Sequence, residues 1–434
     1  MSPESRRRFL KSTTVLGAAT ASTAIAVRRA RAANRRVRLA LIGCGGRGTG
    51  IAQDFARLPN VEFAYVCDAD DSRAANAVNR LSSQPRPVKD FRRALGDKSV
   101  DGVIVATPDH WHSPAAILAT EAGKHVYVEK PCSHNIREGR LLVEAARRNR
   151  RLVQHGTQSR SHDLIVQAIQ MLRDGAIGDV LMAKAWNVQR RQQIGHSSPT
   201  QPPAGLDYDL WVGPAPMVPF RPNCFHYTWH WWYNFGTGDM GNDGVHELDI
   251  ARWGLGVQTH PTTIAAVAGK LSFEDDQQFP DTQYVAFDYP EVGQSTQRKQ
   301  LIFEMRLWSR YGLEGVDNGN AFYGTKGWML VSKRGILKLF DERNRPQPIK
   351  TERPKLTNHF QNFIDAIRGD AELRAEIEVG HRSATLCHLG NIAARCGRSL
   401  EFDPTQERII GDEAAQALVG REYRQGGHWG VPTA

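Results

Sequence analysis

Three glycines in the run Gly43-Cys44-Gly45-Gly46-Arg47-Gly48 follow an apolar stretch, residues 37–42, and precede a helix-like stretch ending near Arg57. That spacing suits a pyrophosphate. The first glycine permits a tight turn, the second lets the backbone approach the phosphates, and the third lets helix and strand pack closely. Gly46 and Arg47 open the helix, whose N-terminal N–H groups face the anion. A second apolar run, 61–67, ends in Asp68, twenty residues past Gly48. An acid there accepts hydrogen bonds from ribose hydroxyls and repels a 2′-phosphate, so NAD is expected; Arg73 nearby leaves NADP open.

The elements that must position these groups alternate. Strands are expected at 37–42, 61–67, 100–107, 125–128 and 152–154, and helices at 46–57, 113–122 and 136–149. Such alternation predicts a doubly wound parallel sheet over residues 34–156. Ligands bind beyond the carboxyl ends of such strands. Two polar segments lie there: Thr107-Pro108-Asp109-His110-Trp111-His112 and Glu129-Lys130-Pro131. Thr107, Pro108, His110, His112, Glu129, Lys130 and, after the last strand, Gln158 are therefore expected to face the cofactor. Arg160 is a candidate contact for an anionic substrate.

From 157 to 434 the rhythm changes. Strands at 179–188, 262–271, 282–289, 300–308, 312–316, 327–331 and 335–339 suit one antiparallel sheet. Helices are expected at 356–368 and 380–398. A proline-rich insertion, 202–222, is expected to fold over the site or against a second subunit. His226-Tyr227-Thr228-Trp229-His230-Trp231-Trp232-Tyr233 is dense in aromatics and histidine. Aromatic faces stack on sugar C–H surfaces, and histidines bond hydroxyls, so His226, His230 and Trp231 are expected to form a carbohydrate-binding wall. Two other readings remain: a packed core, or a metal site using His226, His230, His246 and Asp243 or Glu247. No complete ligand motif is present, and no metal is expected.

The glycine turn, the Thr-Pro-x-x-x-His segment, the Glu-Lys-Pro tripeptide and the block from Gly236 to Asp249 together resemble the Gfo/Idh/MocA superfamily, across nearly the whole chain after residue 32. The resemblance implies a Rossmann domain followed by an α/β domain with a large open, predominantly antiparallel sheet covering the nicotinamide. It implies that Lys130 and His246 are active-site groups, that Lys130–Pro131 is cis, and that the chain forms a homodimer or tetramer. It departs from the superfamily pattern at one place. An aspartate is usual four residues before the motif histidine, and here that position is Asn242, with Asp243 beside it. An amide holds a hydroxyl but is no general base.

Hydride transfer from a carbinol leaves a hydroxyl proton to be removed. Lys130 is the first candidate base and His246 the second, with Asn242 and Asp243 beside the substrate. The expected activity is NAD-dependent oxidoreduction of a sugar, polyol or glycoside carbinol, with tightly held, internally recycled cofactor. One alternative is redox-neutral, NAD-dependent glycoside cleavage. The other is a non-catalytic ligand-binding protein on the same scaffold.

Composition excludes several classes. The chain has 434 residues and a formal charge of +10. Residues 1–32 carry seven basic residues and one acid, leaving 49 basic against 45 acidic residues in the remainder, about +4. That balance calls for no nucleic acid. Six cysteines, none in a Cys-x-x-Cys pair, exclude a disulfide scaffold and zinc knuckles. Cys44, Cys67 and Cys132 are expected as packing residues. The order Arg6-Arg7-Arg8-Phe9-Leu10-Lys11, an uncharged run 12–27 and Ala30-Arg31-Ala32 reads as a twin-arginine signal, hence a periplasmic or otherwise exported protein. The uncharged run is too short to span a bilayer, and no membrane association is expected.

Overall fold

The computed structural model describes residues 36–290 and 297–433. The segment read as an export signal lies outside the described residues. Strands β1 (Val37–Ile42), β2 (Val61–Cys67), β3 (Arg86–Val88), β4 (Gly102–Val105), β5 (His125–Val128) and β6 (Val153–His155) form a parallel sheet in the order β3-β2-β1-β4-β5-β6. This is the doubly wound dinucleotide-binding order. Every residue of β4 is buried, as expected for a parallel strand with helices on both faces.

The helix read from residue 113 starts earlier, at Asp109, with Pro108 as its N-cap. The segment 109–112 is therefore a helical first turn and not a loop. The helix His359–Arg368 belongs to the second half of the chain by sequence. It packs on the nucleotide sheet, where Phe363 meets Phe55 and Tyr127 at ring separations of 6.0 Å each.

The second sheet contains β7 (Val180–Val188), β8 (Thr263–Gly269), β9 (Thr282–Tyr289), β10 (Lys299–Arg306), β11 (Asn318–Gly324), β12 (Gly327–Ser332), β13 (Ile336–Asp341), β14 (Pro346–Gln347), β15 (Leu400–Asp403) and β16 (Arg408–Ile410). Their order is β14-β13-β12-β11-β7-β10-β9-β8-β15-β16. All neighbours are antiparallel except β7 and β10, so the sheet is predominantly but not wholly antiparallel. Helices Val245–Leu255 and Ile377–Cys396 supply Leu248, Ile250, Leu386 and Leu389 to the core on its inner face.

The strand expected at 312–316 is instead a short 3-10 turn, Leu313–Gly315, with Glu314 at φ 54°. The strand lies further on, at Asn318–Gly324. Its first five residues, Asn-Gly-Asn-Ala-Phe, are all buried, so it shows no alternation. Its partners β7 and β12 hold it extended despite low strand propensity.

Candidate active site

A cleft of about 630 Å³ lies at the carboxyl ends of the parallel strands, covered by residues 210–211, 226–230 and 242–246. Its lining extends from the Gly43–Gly48 turn and Asp68 to Lys130, Asn242, Asp243 and His246. Gly43 sits at φ 93°, and a Cβ there would lie 2.5 Å from the Ala106 carbonyl oxygen. A Cβ on Gly48 would lie 2.0 Å from the Gly43 oxygen. Gly46 faces open space, and the N-cap Gly45 offers no side-chain cap to the helix Gly46–Ala56. The turn therefore presents uncapped helical N–H groups in a cradle that glycines keep open, with the Arg73 guanidinium against Gly45, which fits a dinucleotide pyrophosphate.

Asp68 is held by the backbone N–H groups of Cys44 at 2.7 Å and Asp70 at 2.9 Å. Burial raises it above the usual carboxylate range, and these hydrogen bonds oppose the rise. Each carboxylate oxygen keeps lone pairs for a ribose hydroxyl. Glu129 is buried and accepts from Arg47 at 2.9 Å and Gln158 at 3.1 Å. Burial favours its neutral form, but Arg47 and Lys130 hold it below the usual carboxylate range. Thr107 lines the cleft, and its hydroxyl is buried without a hydrogen-bond partner among the described residues.

Lys130 follows β5 and forms the cis peptide with Pro131. Its Nζ donates to the Asn242 backbone carbonyl and, at 2.9 Å, to Asn242 Oδ1. Asn242 and Asp243 lie in one wide π-type turn, Met240–Gly244, that runs into the helix Val245–Leu255. Asp243 pairs with Arg191 and accepts from Gln189, both beyond the end of β7. Burial alone would raise Asp243. Lys130 and Arg191 overcome that and keep it ionised. Burial, then Lys333 and Lys130, push the His246 imidazole well below its usual value, so the ring is neutral at neutral pH. Its Nδ1 is buried without a partner among the described residues.

Several expected residues prove to have other duties. His110 is fully buried, bonds the Trp211 carbonyl oxygen at 3.0 Å and packs on Phe235; it is absent from the cleft wall. His112 lines the cleft, but its two ring nitrogens face the carbonyl oxygens of Pro131 at 2.6 Å and Thr107 at 2.8 Å. It therefore ties the two strand ends together. Trp231 is buried behind the wall against Tyr227. Arg160 is buried in a bidentate pair with Asp249 and is no substrate contact.

The wall itself uses Tyr227, Trp229 and His230, with Trp211 from the proline-rich insertion. His226 and His230 do not share a helix face: His226 has φ 64°, and the following helical turn spans only Thr228–Trp231. His226 Nε2 reaches Asp70 at 3.3 Å, above the nucleotide end. The insertion crosses to the same place, with Asp207 N–H donating to the Ala69 carbonyl at 2.9 Å. Glu247, named in the metal alternative, is buried against Lys333 at 3.0 Å. Burial pushes the thiols of Cys44, Cys67 and Cys132 upward, consistent with packing roles.

Sequence reasoning missed Gln189, Arg191, Tyr227 and Asp239 as site residues. In the sequence Arg191 stands in a plain Arg-Arg pair with no motif around it, and only its pairing with Asp239 and Asp243 places it here.

A dinucleotide cradle facing a lysine, a histidine and an aromatic wall defines a two-domain, nicotinamide-dependent oxidoreductase fold. The chain belongs to the Gfo/Idh/MocA family: the oxidoreductase family's NAD-binding Rossmann fold matches residues 37–157, and its C-terminal alpha/beta domain matches 183–287 and 341–429. It binds NAD. Among solved structures it is similar to the WlbA dehydrogenase from Bordetella pertussis, in complex with NADH and UDP-GlcNAcA. That match has a TM-score of 0.66 and 19% identity, over 85% of this chain and 98% of that one. The aldose-aldose oxidoreductase from Caulobacter crescentus matches with a TM-score of 0.64 and 20% identity, over 85% of this chain and 100% of that one. Among curated proteins, a glycosyl hydrolase family 109 protein of Shewanella sp. (strain MR-4) is 31% identical over 159 residues. An alpha-N-acetylgalactosaminidase of Shewanella oneidensis is 30% identical over the same length. In both cases the match spans about a third of each protein, 34% of this chain and 34% of the relative.

Proposed function

We propose that the protein transfers a hydride between NAD and a carbinol of an uncharged sugar, polyol or glycoside. The observation that carries this reading is the junction of Lys130, Asn242 and His246 in the cleft that begins at the glycine turn. NAD supplies the hydride acceptor. Lys130 spends two of its three N–H bonds on Asn242, leaving one for the substrate oxygen. The neutral His246 is free to accept the hydroxyl proton, although burial makes it a weak base, and Lys130 stabilises the charge that develops on the oxygen. Lys130 is the first candidate base by residue type, and its hydrogen bonds to Asn242 favour the orienting role. Lys130 and Arg191 balance Asp239 and Asp243, and His230 is pushed down to about 3 by burial. A substrate end with no net formal charge suits a neutral polyol better than a sugar acid.

A second reading is favoured by the relatives named as glycosidases. In it a ring carbinol is oxidised, the neighbouring carbon loses a proton, the glycosidic leaving group departs, water adds, and the hydride returns. One experiment separates the two. The purified protein is denatured and its released nucleotide identified by mass; the intact protein is then mixed with aldoses, polyols and p-nitrophenyl glycosides. Accumulating NADH, or its oxidation by an added aldose, supports net oxidoreduction. Aglycone release without net NADH, with solvent deuterium entering the sugar, supports cleavage. Neither signal with any compound, despite bound NAD, would favour a non-catalytic role.

We further propose export through the twin-arginine route with the cofactor already loaded. Changing Arg6 and Arg7 together to Lys should leave the protein in the cytoplasm; normal export of that variant would sink the proposal.

A further inference from the structure

We propose that Asp239 is the positioning carboxylate of this site, acting on Lys130 through the Asn242 amide. Asp239 is 1% exposed and lies three residues before Asn242. Its Oδ1 accepts from Asn242 Nδ2 at 3.0 Å and from Arg191 at 3.0 Å, and its Oδ2 accepts from Asn187 Nδ2 at 3.1 Å. Because the amide N–H₂ is committed to that carboxylate, Asn242 Oδ1 must face the other way, toward Lys130 at 2.9 Å. The flipped amide would set an oxygen against a carboxylate and an N–H₂ against an amine. Asp239 thus chooses the amide orientation, and the amide chooses where Lys130 points.

The relay also answers the family departure. The carboxyl group missing at position 242 is present one step further back, fully buried. Arg191 bridges Asp239 and Asp243; burial raises Asp239 above the usual carboxylate range and Arg191 opposes the rise, while Lys130 and Arg191 hold Asp243 below it. Asn187 and Gln189, on and just past β7, hold the outer side of each carboxylate. The charged groups around Lys130 are Asp109, Asp239, Asp243, Arg191, Glu129 and Arg47, with Lys333 behind Asp243 and His246 neutral; burial raises Asp109 to about 6.

The consequence for turnover rests on the proposed role of Lys130, but the placement itself is testable without a substrate. The NAD-loaded protein is labelled with trace acetic anhydride at neutral pH, and acetylation of Lys130 is read by peptide mass spectrometry against the exposed Lys98. With the carboxylate gone the Asn242 amide can turn, Lys130 Nζ loses the amide oxygen, and the amine is freer to react. Asp239→Asn is expected to increase the Lys130/Lys98 labelling ratio about tenfold, the worth of one charge-assisted hydrogen bond. The exchange variant Asp239→Asn/Asn242→Asp moves the carboxylate next to Lys130 and should return the ratio to the wild-type value or below. Should Asp239→Asn fail to fold, Asn242→Ala cuts the relay while Asp239 keeps Arg191 and Asn187, and it should raise labelling by a similar factor. An unchanged ratio in folded Asp239→Asn or Asn242→Ala, or a raised ratio in the exchange variant, would overturn the proposal. A carboxylate serving only to brace the turn would move the melting temperature and leave the Asp239→Asn ratio at its wild-type value. A catalytically idle Lys130 would leave turnover unaffected while the ratios still shift, so the two failures are distinguishable.

Discussion

The two ends of the cleft are built from different materials. The cofactor end is mainly backbone: a glycine turn, an uncapped helix start, and Asp68 held by two main-chain N–H groups. The substrate end is mainly side chains, drawn from 130, 187–191, 227–230 and 239–246. Backbone cradles depend on local sequence. Side-chain networks depend on where distant elements cross, so one end tolerates little local change while the other is tuned by single residues at a distance.

That contrast can be broken at the substrate end first. Lys130→Met should keep NAD bound, because the phosphate cradle is untouched, while turnover falls by about 10²–10⁴. Nucleotide content after denaturation and single-turnover kinetics test the two halves; loss of nucleotide would show that the ends are not separable.

A comparable effect on stability, with no direct effect on chemistry, is expected at Asp249. It closes the motif block, yet it serves the buried Arg160 and accepts from Ser383 at 2.7 Å. Asp249→Ala leaves that guanidinium unpaired and should cost about 3–5 kcal/mol in urea unfolding. A loss below ~1 kcal/mol would mean that water replaces the partner.

The cofactor end yields a smaller change. Asp68→Ala should narrow the preference for NAD over NADP by about tenfold, roughly 1.4 kcal/mol, in competitive binding. An unchanged ratio would assign ribose reading to another group, with Asp70 the next to test.

Two pH dependences are expected to be smaller still. Since burial keeps His246 neutral well below its usual value, His246 should contribute no acid limb near pH 6.5. The buried Asp109 and Glu247 are raised to about 6, so a limb there that survives Asp109→Asn and Glu247→Gln would mean that His246 titrates normally. Away from the cleft, Arg140 and Arg382 hold Glu378 down at about 2 against burial, from an ordinary 4.5. A carboxylate depressed in the folded state contributes stability that is complete above 4.5 and lost as pH falls through about 2. Melting temperature should therefore fall across that window, less steeply in Glu378→Gln.

Much of the fold could be read from the chain because its signals are local. The run 37–42 and the glycine turn after it specify a strand, a turn and a helix through contacts within a few residues. The parallel sheet follows from repeating that unit. The strand Asn318–Gly324 could not be read the same way, since only its neighbours β7 and β12 hold so weak a strand former extended. His110, Trp231 and Arg160 are chemically able residues that packing withdrew from the site.

By itself the sequence determined the dinucleotide cradle, the family, and the presence of Lys130 and His246 at the ends of their elements. Glycine torsions, helix starts and strand ends are set by neighbouring residues, so they are written in order along the chain. Tertiary structure alone decided that Asp239, Arg191 and Asp243 stand behind Asn242, and that the amide points its oxygen at Lys130. Those contacts join β7, the wide turn and the end of β5. Their energies depend on burial and on hydrogen-bond direction, neither of which exists until the two sheets have closed on the cleft.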